Sequence, residues 1–129
     1  MNDRDPILLG LDIGGTKTSV SLGRPDGTVL ETRRIPTQAQ EGPDRWWART
    51  KNLARELLRD RGIEDAALTA VGVAAPGPMS VARGAMIAPP NLPGWRDVPV
   101  VAPLQAEFGR PVYINNDANA SALAEYHFG

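Results

Sequence analysis

The chain of 129 residues is long enough to close one hydrophobic core, and its 42% hydrophobic and 22% charged residues are typical of globular proteins. A formal net charge of -1 excludes the strongly basic surface that nucleic-acid binding requires. The absence of cysteine excludes disulfides and thiolate metal sites within these residues, and no apolar run approaches the roughly 20 residues of a membrane-spanning helix.

The first six residues, MNDRDP, carry two acids and no apolar segment. A secretory signal peptide needs an apolar core, so this segment is not one. Cytoplasmic localisation is therefore expected, without a membrane or nucleic-acid partner.

The first 35 residues predict a three-stranded meander. Ile7–Ile13 is mostly aliphatic and predicts a strand buried on both faces. Residues 18–22 alternate small and apolar side chains, the Pro-Asp-Gly sequence at 25–27 favours a turn, and residues 28–35 predict the returning strand.

The rest of the chain alternates helices and strands. A helix is expected from Pro43 to the residues before Gly62, since Pro is tolerated in the first turn and Gly ends helices. The later predicted elements are a strand at Leu68–Ala74, a helix at 98–108, a strand at 112–114 and a helix at 118–128. This order predicts an α/β domain with a mixed sheet and helices on its faces.

The segment DIGGTKT, residues 12–18, lies between the first two predicted strands. Gly14 and Gly15 allow a tight turn whose backbone N–H groups suit phosphate oxygens, together with the hydroxyls of Thr16 and Thr18. Lys17 adds positive charge. Asp12, at a strand end, can hold magnesium directly or through water. The segment is not a Walker sequence, and an ordinary hairpin turn with two glycines explains it equally well on local grounds.

Two later loops carry candidate ligand contacts. Residues 75–78, Ala-Pro-Gly-Pro, predict a stiff turn with exposed backbone at Gly77, although a purely structural turn fits the same pattern. In the loop at 91–95, Asn91 offers both a donor and an acceptor, as a sugar hydroxyl does. Trp95 either lines a pocket or packs in the core.

Asp117 follows a predicted strand and begins the last predicted helix, within the sequence NNDANA at 115–120. One interpretation is helix capping, for which Asp is favoured. The other is a general base that accepts the proton of a substrate hydroxyl as it attacks phosphorus, with Asn116 holding a neighbouring hydroxyl.

Four segments, in this order and spacing, resemble the ROK family of sugar kinases and related repressors: LDIGGTK at 11–17, GVAAPGP at 72–78, PNLPGW at 90–95 and NDANASALAE at 116–125. The resemblance extends from Ile7 to Gly129. It implies the actin-like, ribonuclease H-like ATPase fold and phosphoryl transfer from ATP, with magnesium, to a sugar hydroxyl.

The resemblance also implies a role for each candidate residue. The segment from Asp12 to Lys17 is similar to the family's phosphate and magnesium loop. The expected sugar contacts are Gly77, Asn91, Asn116 and Asp117. Asp117 is also the expected catalytic base.

A second domain normally follows in this family and brings further sugar contacts, a zinc site, most adenosine contacts and the homodimer surface. We expect residues 1–129 to form the first domain, to contain no zinc site and to be inactive alone. Glucose is the favoured sugar, and the alternative substrates are N-acetylhexosamines and fructose.

A second alternative is a sugar-responsive transcriptional repressor of the same family. The family's repressors carry a helix-turn-helix ahead of the phosphate loop. Only eleven residues precede Asp12, which favours the kinase.

Overall fold

The computed structural model describes residues 6–115. Its main sheet has five strands: β1 Ile7–Ile13, β2 Lys17–Gly23, β3 Val29–Pro36, β4 Leu68–Ala74 and β8 Val112–Asn115. Their order across the sheet is β3-β2-β1-β4-β8. The described residues also form two α-helices, α1 Pro43–Asp60 and α2 Val101–Phe108. Two short 3-10 helices lie at Ala39–Glu41 and Asp65–Ala67.

Strands β1, β2 and β3 form the predicted antiparallel meander, while β4 pairs in parallel with β1, and β8 pairs in parallel with β4. The mixed sheet predicted from the order of elements is therefore confirmed. Because β1, β4 and β8 are parallel, their carboxyl ends lie at one edge of the sheet, where open α/β sheets bind ligands. The turn between β2 and β3 lies at the opposite edge.

Both helices pack against one face of the sheet. Helix α1 buries Trp46, Thr50, Ala54, Leu57 and Leu58, and α2 buries Leu104 and Phe108, against aliphatic side chains of β1, β2 and β4. As predicted, α1 ends at glycine: Gly62 has φ 66°, and the N–H of the next residue, Ile63, donates to the Leu58 carbonyl. Helix α2 ends in the same way at Gly109, which has φ 64°.

The prediction of one helix over residues 98–108 was wrong at its start. Val98–Pro99 forms strand β7, and α2 begins only at Val101. Proline biases the residue before it toward extended backbone, and valine, being β-branched, favours strands, so Val98 extends and pairs with Met86. Pro103 falls in the first turn of α2, where no internal N–H bond is lost.

A second, three-stranded antiparallel sheet was not predicted. It contains β5 Met79–Ser80, β6 Ala85–Met86 and β7, in that order. Strands of two residues show no periodicity, so the sequence of this region indicated only an ordered loop. The sheet buries Met86 and Val98 in the main core and thereby supports the loop that begins at Asn91.

None of the helices between residues 6 and 115 has the length and apolar character needed to cross a membrane.

Candidate active site

The carboxyl ends of the three parallel strands bring candidate residues to one edge. Asp12 on β1 lies opposite Ala74 on β4, and Ala74 lies opposite Asn115 on β8. The next residues along the chain are Asn116 and Asp117, which lie outside the described residues together with the helix predicted at 118–128. The strand that leads into Asp117 therefore ends in the same row as Asp12.

The phosphate-loop candidate forms the predicted β-hairpin. Strand β1 ends at Ile13, β2 begins at Lys17, and Ile13 pairs with Thr18. The Gly14 N–H donates to the Lys17 carbonyl at 2.9 Å, so this amide closes the turn and is not available to a ligand. Thr16 and Lys17 are exposed, and Gly15 is partly exposed.

Glycine is required in this loop for a reason that the sequence did not show. Glycine tolerates a positive φ, but neither Gly14 nor Gly15 adopts one. A Cβ on Gly15 would instead lie 2.6 Å from the Asn91 carbonyl oxygen, and one on Gly14 would lie 2.7 Å from the Lys17 oxygen. The absence of a side chain at Gly15 allows the phosphate-loop candidate and the sugar-loop candidate to touch.

Thr18 is not on the open surface with the rest of the loop. Its side chain is fully buried, and its hydroxyl lies 2.9 Å from the Thr37 hydroxyl and accepts a hydrogen bond from the Trp46 indole N–H at 2.9 Å. A buried, bonded hydroxyl does not reach phosphate, so we assign Thr18 to positioning the loop. The alternation of residues 18–22 placed Thr18 on the same face as the core residues Val20 and Leu22.

Asn91 borders an open groove of about 520 Å³ that also includes Gly15, Thr16, Gln38 and Gln40. The loop that begins at Asn91 is anchored in the hydrophobic core, because Leu92 and Trp95 are buried there. The Trp95 indole N–H donates to the Ala39 carbonyl, which joins this loop to the segment after β3. No motif in the sequence indicated residues 38–40 as part of the site.

Gly77 lies just beyond β4, at the same edge of the sheet. It is partly exposed, and its peptide bond to Pro78 is cis. The Ala75 N–H donates to the Asn115 carbonyl at 2.8 Å, which holds the start of this turn beside the end of β8. Gly77 therefore lies near the end of the strand that leads into Asn116.

The charges at this edge suit a phosphate and a hard cation. Asp12 is exposed, yet partial desolvation raises the pKa of its carboxyl group. Lys17 and Arg34 are also exposed and, with Thr16, line a neighbouring groove of about 310 Å³. Residues 6–115 contain no cluster of three acidic or histidine side chains for a metal. One carboxylate nevertheless fits Mg²⁺, which completes its shell with phosphate oxygens and water.

Sequence comparison matches the ROK family model to residues 8–129, nearly the whole chain. The chain belongs to the ROK family. Among curated relatives, a glucokinase of Thermotoga maritima is 34% identical over 122 residues, and an N-acetylmannosamine kinase of Citrobacter koseri is 36% identical over 121 residues. These matches cover 95% and 92% of this chain. A putative xylose repressor of Caldicellulosiruptor is 27% identical over all 129 residues.

Solved structures confirm the predicted actin-like fold. A ROK hexokinase of Thermus thermophilus superposes with a TM-score of 0.75 at 36% identity, covering 94% of this chain and 38% of that one. A ROK glucokinase of Streptomyces griseus, solved with glucose and AMPPNP, gives a TM-score of 0.70 at 29% identity over 95% of this chain and 37% of that one. The chain likewise spans only 37% of the Thermotoga glucokinase and 39% of the Citrobacter kinase.

Proposed function

We propose that this chain is the phosphate-binding and catalytic-base portion of an ATP-dependent sugar kinase, which transfers the γ-phosphoryl group to a hexose hydroxyl. The observation that carries the proposal is the contact between Gly15 and Asn91. It brings the phosphate-loop motif and the sugar-loop motif, which are far apart in the chain, to one groove. Phosphoryl transfer depends mainly on such positioning of donor and acceptor.

The phosphate-loop residues take up the charge of the donor in this proposal. Gly15 offers a backbone N–H, Thr16 an exposed hydroxyl, and Lys17 a positive charge. Asp12 holds Mg²⁺, directly or through a bound water. When bound, the metal neutralises charge on the phosphate oxygens. Gly14 contributes by closing the turn, since its N–H is bonded within the loop.

Asp117 is the proposed general base, and Asn91, Asn116 and the backbone at Gly77 are the proposed sugar contacts. A carboxylate within hydrogen-bonding reach of the attacking hydroxyl accepts its proton as the bond to phosphorus forms.

The remaining parts of the site belong, in our proposal, to a second domain. This domain supplies further sugar contacts, adenosine contacts, any zinc site and a homodimer surface, and the complete protein acts in the cytoplasm, where ATP is available. Residues 1–129 form the first domain. Glucose is the first candidate substrate, because glucokinases are among the relatives.

Two alternatives remain within the family. The Citrobacter relative favours an N-acetylhexosamine acceptor, with fructose as a further possibility. The Caldicellulosiruptor relative favours a sugar-responsive repressor. A repressor of this family needs to bind sugar but does not need a loop that binds the phosphates of ATP. The exposed Lys17 and Thr16 beside Asp12 therefore support the kinase.

The test is sugar-dependent ADP release by the full-length protein, with glucose, fructose, mannose, N-acetylglucosamine and N-acetylmannosamine each supplied with MgATP. We expect turnover with at least one sugar and none without sugar. Sugar binding by calorimetry without any ADP release would support the repressor. Neither binding nor turnover with any of these sugars would contradict both proposals.

A further inference from the structure

A series of hydrogen bonds runs from the core to the phosphate-loop candidate through the side chains of Trp46, Thr18 and Thr37. Of these residues, only Thr18 belongs to one of the sequence motifs. The Trp46 indole N–H donates to the Thr18 hydroxyl at 2.9 Å, the Thr18 and Thr37 hydroxyls lie 2.9 Å apart, and the Thr37 hydroxyl donates to the Gly14 carbonyl at 2.7 Å. Trp46, Thr18 and Thr37 are all buried.

The direction of every bond in this series is determined by its two ends. An indole N–H can only donate, and a carbonyl can only accept. Since the Thr37 proton goes to Gly14, the middle bond must be donated by Thr18 to Thr37. The Thr18 and Thr37 hydroxyls thus each donate one hydrogen bond and accept one, so neither hydroxyl is left unpaired.

Thr37 also binds the loop through its backbone. Its N–H donates to the Thr16 carbonyl at 2.8 Å, so Thr37 holds the carbonyls of Gly14 and Thr16 together. In a trans peptide the C=O and the following N–H point in opposite directions. The only cis bond among residues 6–115 is at Gly77, so the N–H groups of Gly15 and Lys17 point away from the buried Thr37.

Helix α1 holds Thr37 in place from the other side. Arg49 donates to the carbonyls of Pro36 and Thr37 at 3.0 and 2.9 Å. Trp46 also packs edge-on against Trp95, with ring centroids 5.4 Å apart, and Trp95 belongs to the loop that begins at Asn91. Helix α1 therefore anchors both the phosphate-loop candidate and the sugar-loop candidate.

From this geometry we propose that Thr37, with Thr18 and Trp46 behind it, is a positioning residue that aims the Gly15 and Lys17 N–H groups at the phosphoryl donor. The proposal rests on the proposed function for its kinetic consequence. Its structural content, the orientation of two peptide groups, does not depend on which sugar is phosphorylated.

The kinetic test compares Thr37→Val, Thr37→Ser and Thr50→Val in the full-length protein. Valine keeps the shape and the backbone N–H of Thr37 but removes both hydroxyl bonds, whereas serine keeps the hydroxyl. Thr50 is the matched control, because it is a buried threonine of α1 whose hydroxyl has no partner within residues 6–115.

We expect Thr37→Val to lower kcat/KM for ATP by about ten- to a hundredfold, the scale of a small misplacement of reacting groups, while KM for sugar changes less than about twofold. Thr37→Ser should stay within about threefold of wild type, and Thr50→Val should match wild type. Wild-type ATP kinetics in a folded Thr37→Val, or an equal rise of both KM values, would overturn the proposal.

Trp46→Phe provides a second variant if Thr37→Val does not fold, because phenylalanine keeps a ring against Trp95 while it removes the N–H donor together with part of the indole ring. The same ATP-specific loss is expected, and its absence would overturn the proposal. If the wild-type protein phosphorylates no sugar, the proposed function fails, and nuclear magnetic resonance of the backbone still decides the positioning. Thr37→Val or Trp46→Phe must then shift the Gly15 and Lys17 amide signals while Thr50→Val does not, and unshifted signals would contradict it.

Discussion

At the residue scale, the surroundings of Asp12 affect stability through the ionisation of its carboxyl group. Its carboxyl pKa is raised by partial desolvation, so the ionised form is disfavoured in the folded state. The free energy of unfolding is therefore lowered at pH values above the pKa of Asp12 in the folded state. This loss of stability disappears below the pKa of aspartate in the unfolded chain, about 3.9. Asp12→Asn should therefore raise the melting temperature at pH 7, with a gain that shrinks as the pH falls toward 4.

The same variant should lose activity as it gains stability. The asparagine side chain has no charge with which to hold Mg²⁺, so kcat/KM for MgATP in the full-length protein should fall by at least about tenfold. Thermal unfolding from pH 7 to pH 4 and kinetics at several magnesium concentrations measure both effects. An unchanged magnesium dependence would remove Asp12 from the metal site.

Gly15→Ala tests the contact between the two loops. Its new Cβ would lie 2.6 Å from a backbone oxygen of Asn91, so one loop must move. Overpacking of this kind costs about 1–3 kcal/mol. We expect a loss of that size in the free energy of unfolding and a larger fall in kcat/KM than stability explains.

Gly27→Ala is the matched control for Gly15→Ala. Gly27 has φ 95° at the opposite edge of the sheet, and nothing lies within 4 Å of its added Cβ. Strain there costs about 1–2 kcal/mol without touching the site. If both variants lose stability equally and neither loses activity, the Gly15 contact has no functional role.

Some of the site could be predicted from residue types and some could not. The turn at Gly14 and Gly15 followed from two adjacent glycines between strands, because such pairs favour tight turns. The approach of Asn91 to Gly15 could not be predicted, since it depends on tertiary packing between distant segments. Burial of the Thr18 hydroxyl was missed because a threonine in a loop motif resembles a ligand contact until its partners, Thr37 and Trp46, are known.

At the scale of elements, Arg55 joins α1 to α2. Its guanidinium donates to Glu107 at 2.8 Å and to Asp65 at 2.6 Å, and it stacks over the Phe108 ring at 4.5 Å. These contacts raise the pKa of Arg55, through the Asp65 bond above all. Charge-assisted bonds and a stacked ring together stabilise by about 1–3 kcal/mol after allowance for solvent.

We expect Arg55→Ala to lower the free energy of unfolding by about 1–3 kcal/mol, and Arg55→Lys to recover only part of it, because lysine lacks the planar fork. Arg83→Ala removes an exposed pair with Asp97 and should change stability by less than about 0.5 kcal/mol. Urea denaturation compares the three. Equal effects of Arg55→Ala and Arg83→Ala would show that Arg55 is not a link between the helices.

The elements that the sequence predicted well have strong local signals. Ile7–Ile13 is mostly aliphatic, and α1 begins at a proline and is followed closely by Gly62, whose positive φ stops the helix. The start of α2 was wrong because Val98 and Pro99 favour strand locally while a helical pattern follows them. Strands β5, β6 and β7 were missed because two residues carry no period, and their pairing depends on the rest of the fold.

At the scale of the whole molecule, we propose that the carboxyl-end edge of the main sheet is one side of a cleft between two domains. The chain spans 37% of its Thermotoga relative. Phosphoryl transfer requires both substrates to be positioned and water to be excluded. We therefore predict that residues 1–129 alone fold but release no ADP in the presence of sugar and MgATP, whereas the full-length protein does. Turnover by the isolated chain at the rate of the full-length protein would contradict the assignment of these residues to one domain of two.

Proton transfer in the proposed mechanism depends on Asp117, the proposed base, and Asp117→Asn in the full-length protein tests this role directly. Asparagine caps a helix about as well as aspartate and keeps its shape, so stability and sugar affinity should change little. It cannot accept a proton, so kcat should fall by about two orders of magnitude or more. Asp26→Asn, in the turn at the opposite edge of the sheet, serves as the control and should leave kcat unchanged.

The deciding measurement is kcat for the Asp117→Asn variant, with sugar affinity determined by calorimetry on the same preparation. We predict a nearly inactive enzyme that still binds its sugar. A kcat like that of the wild type would leave Asp117 as a helix cap and contradict the mechanism.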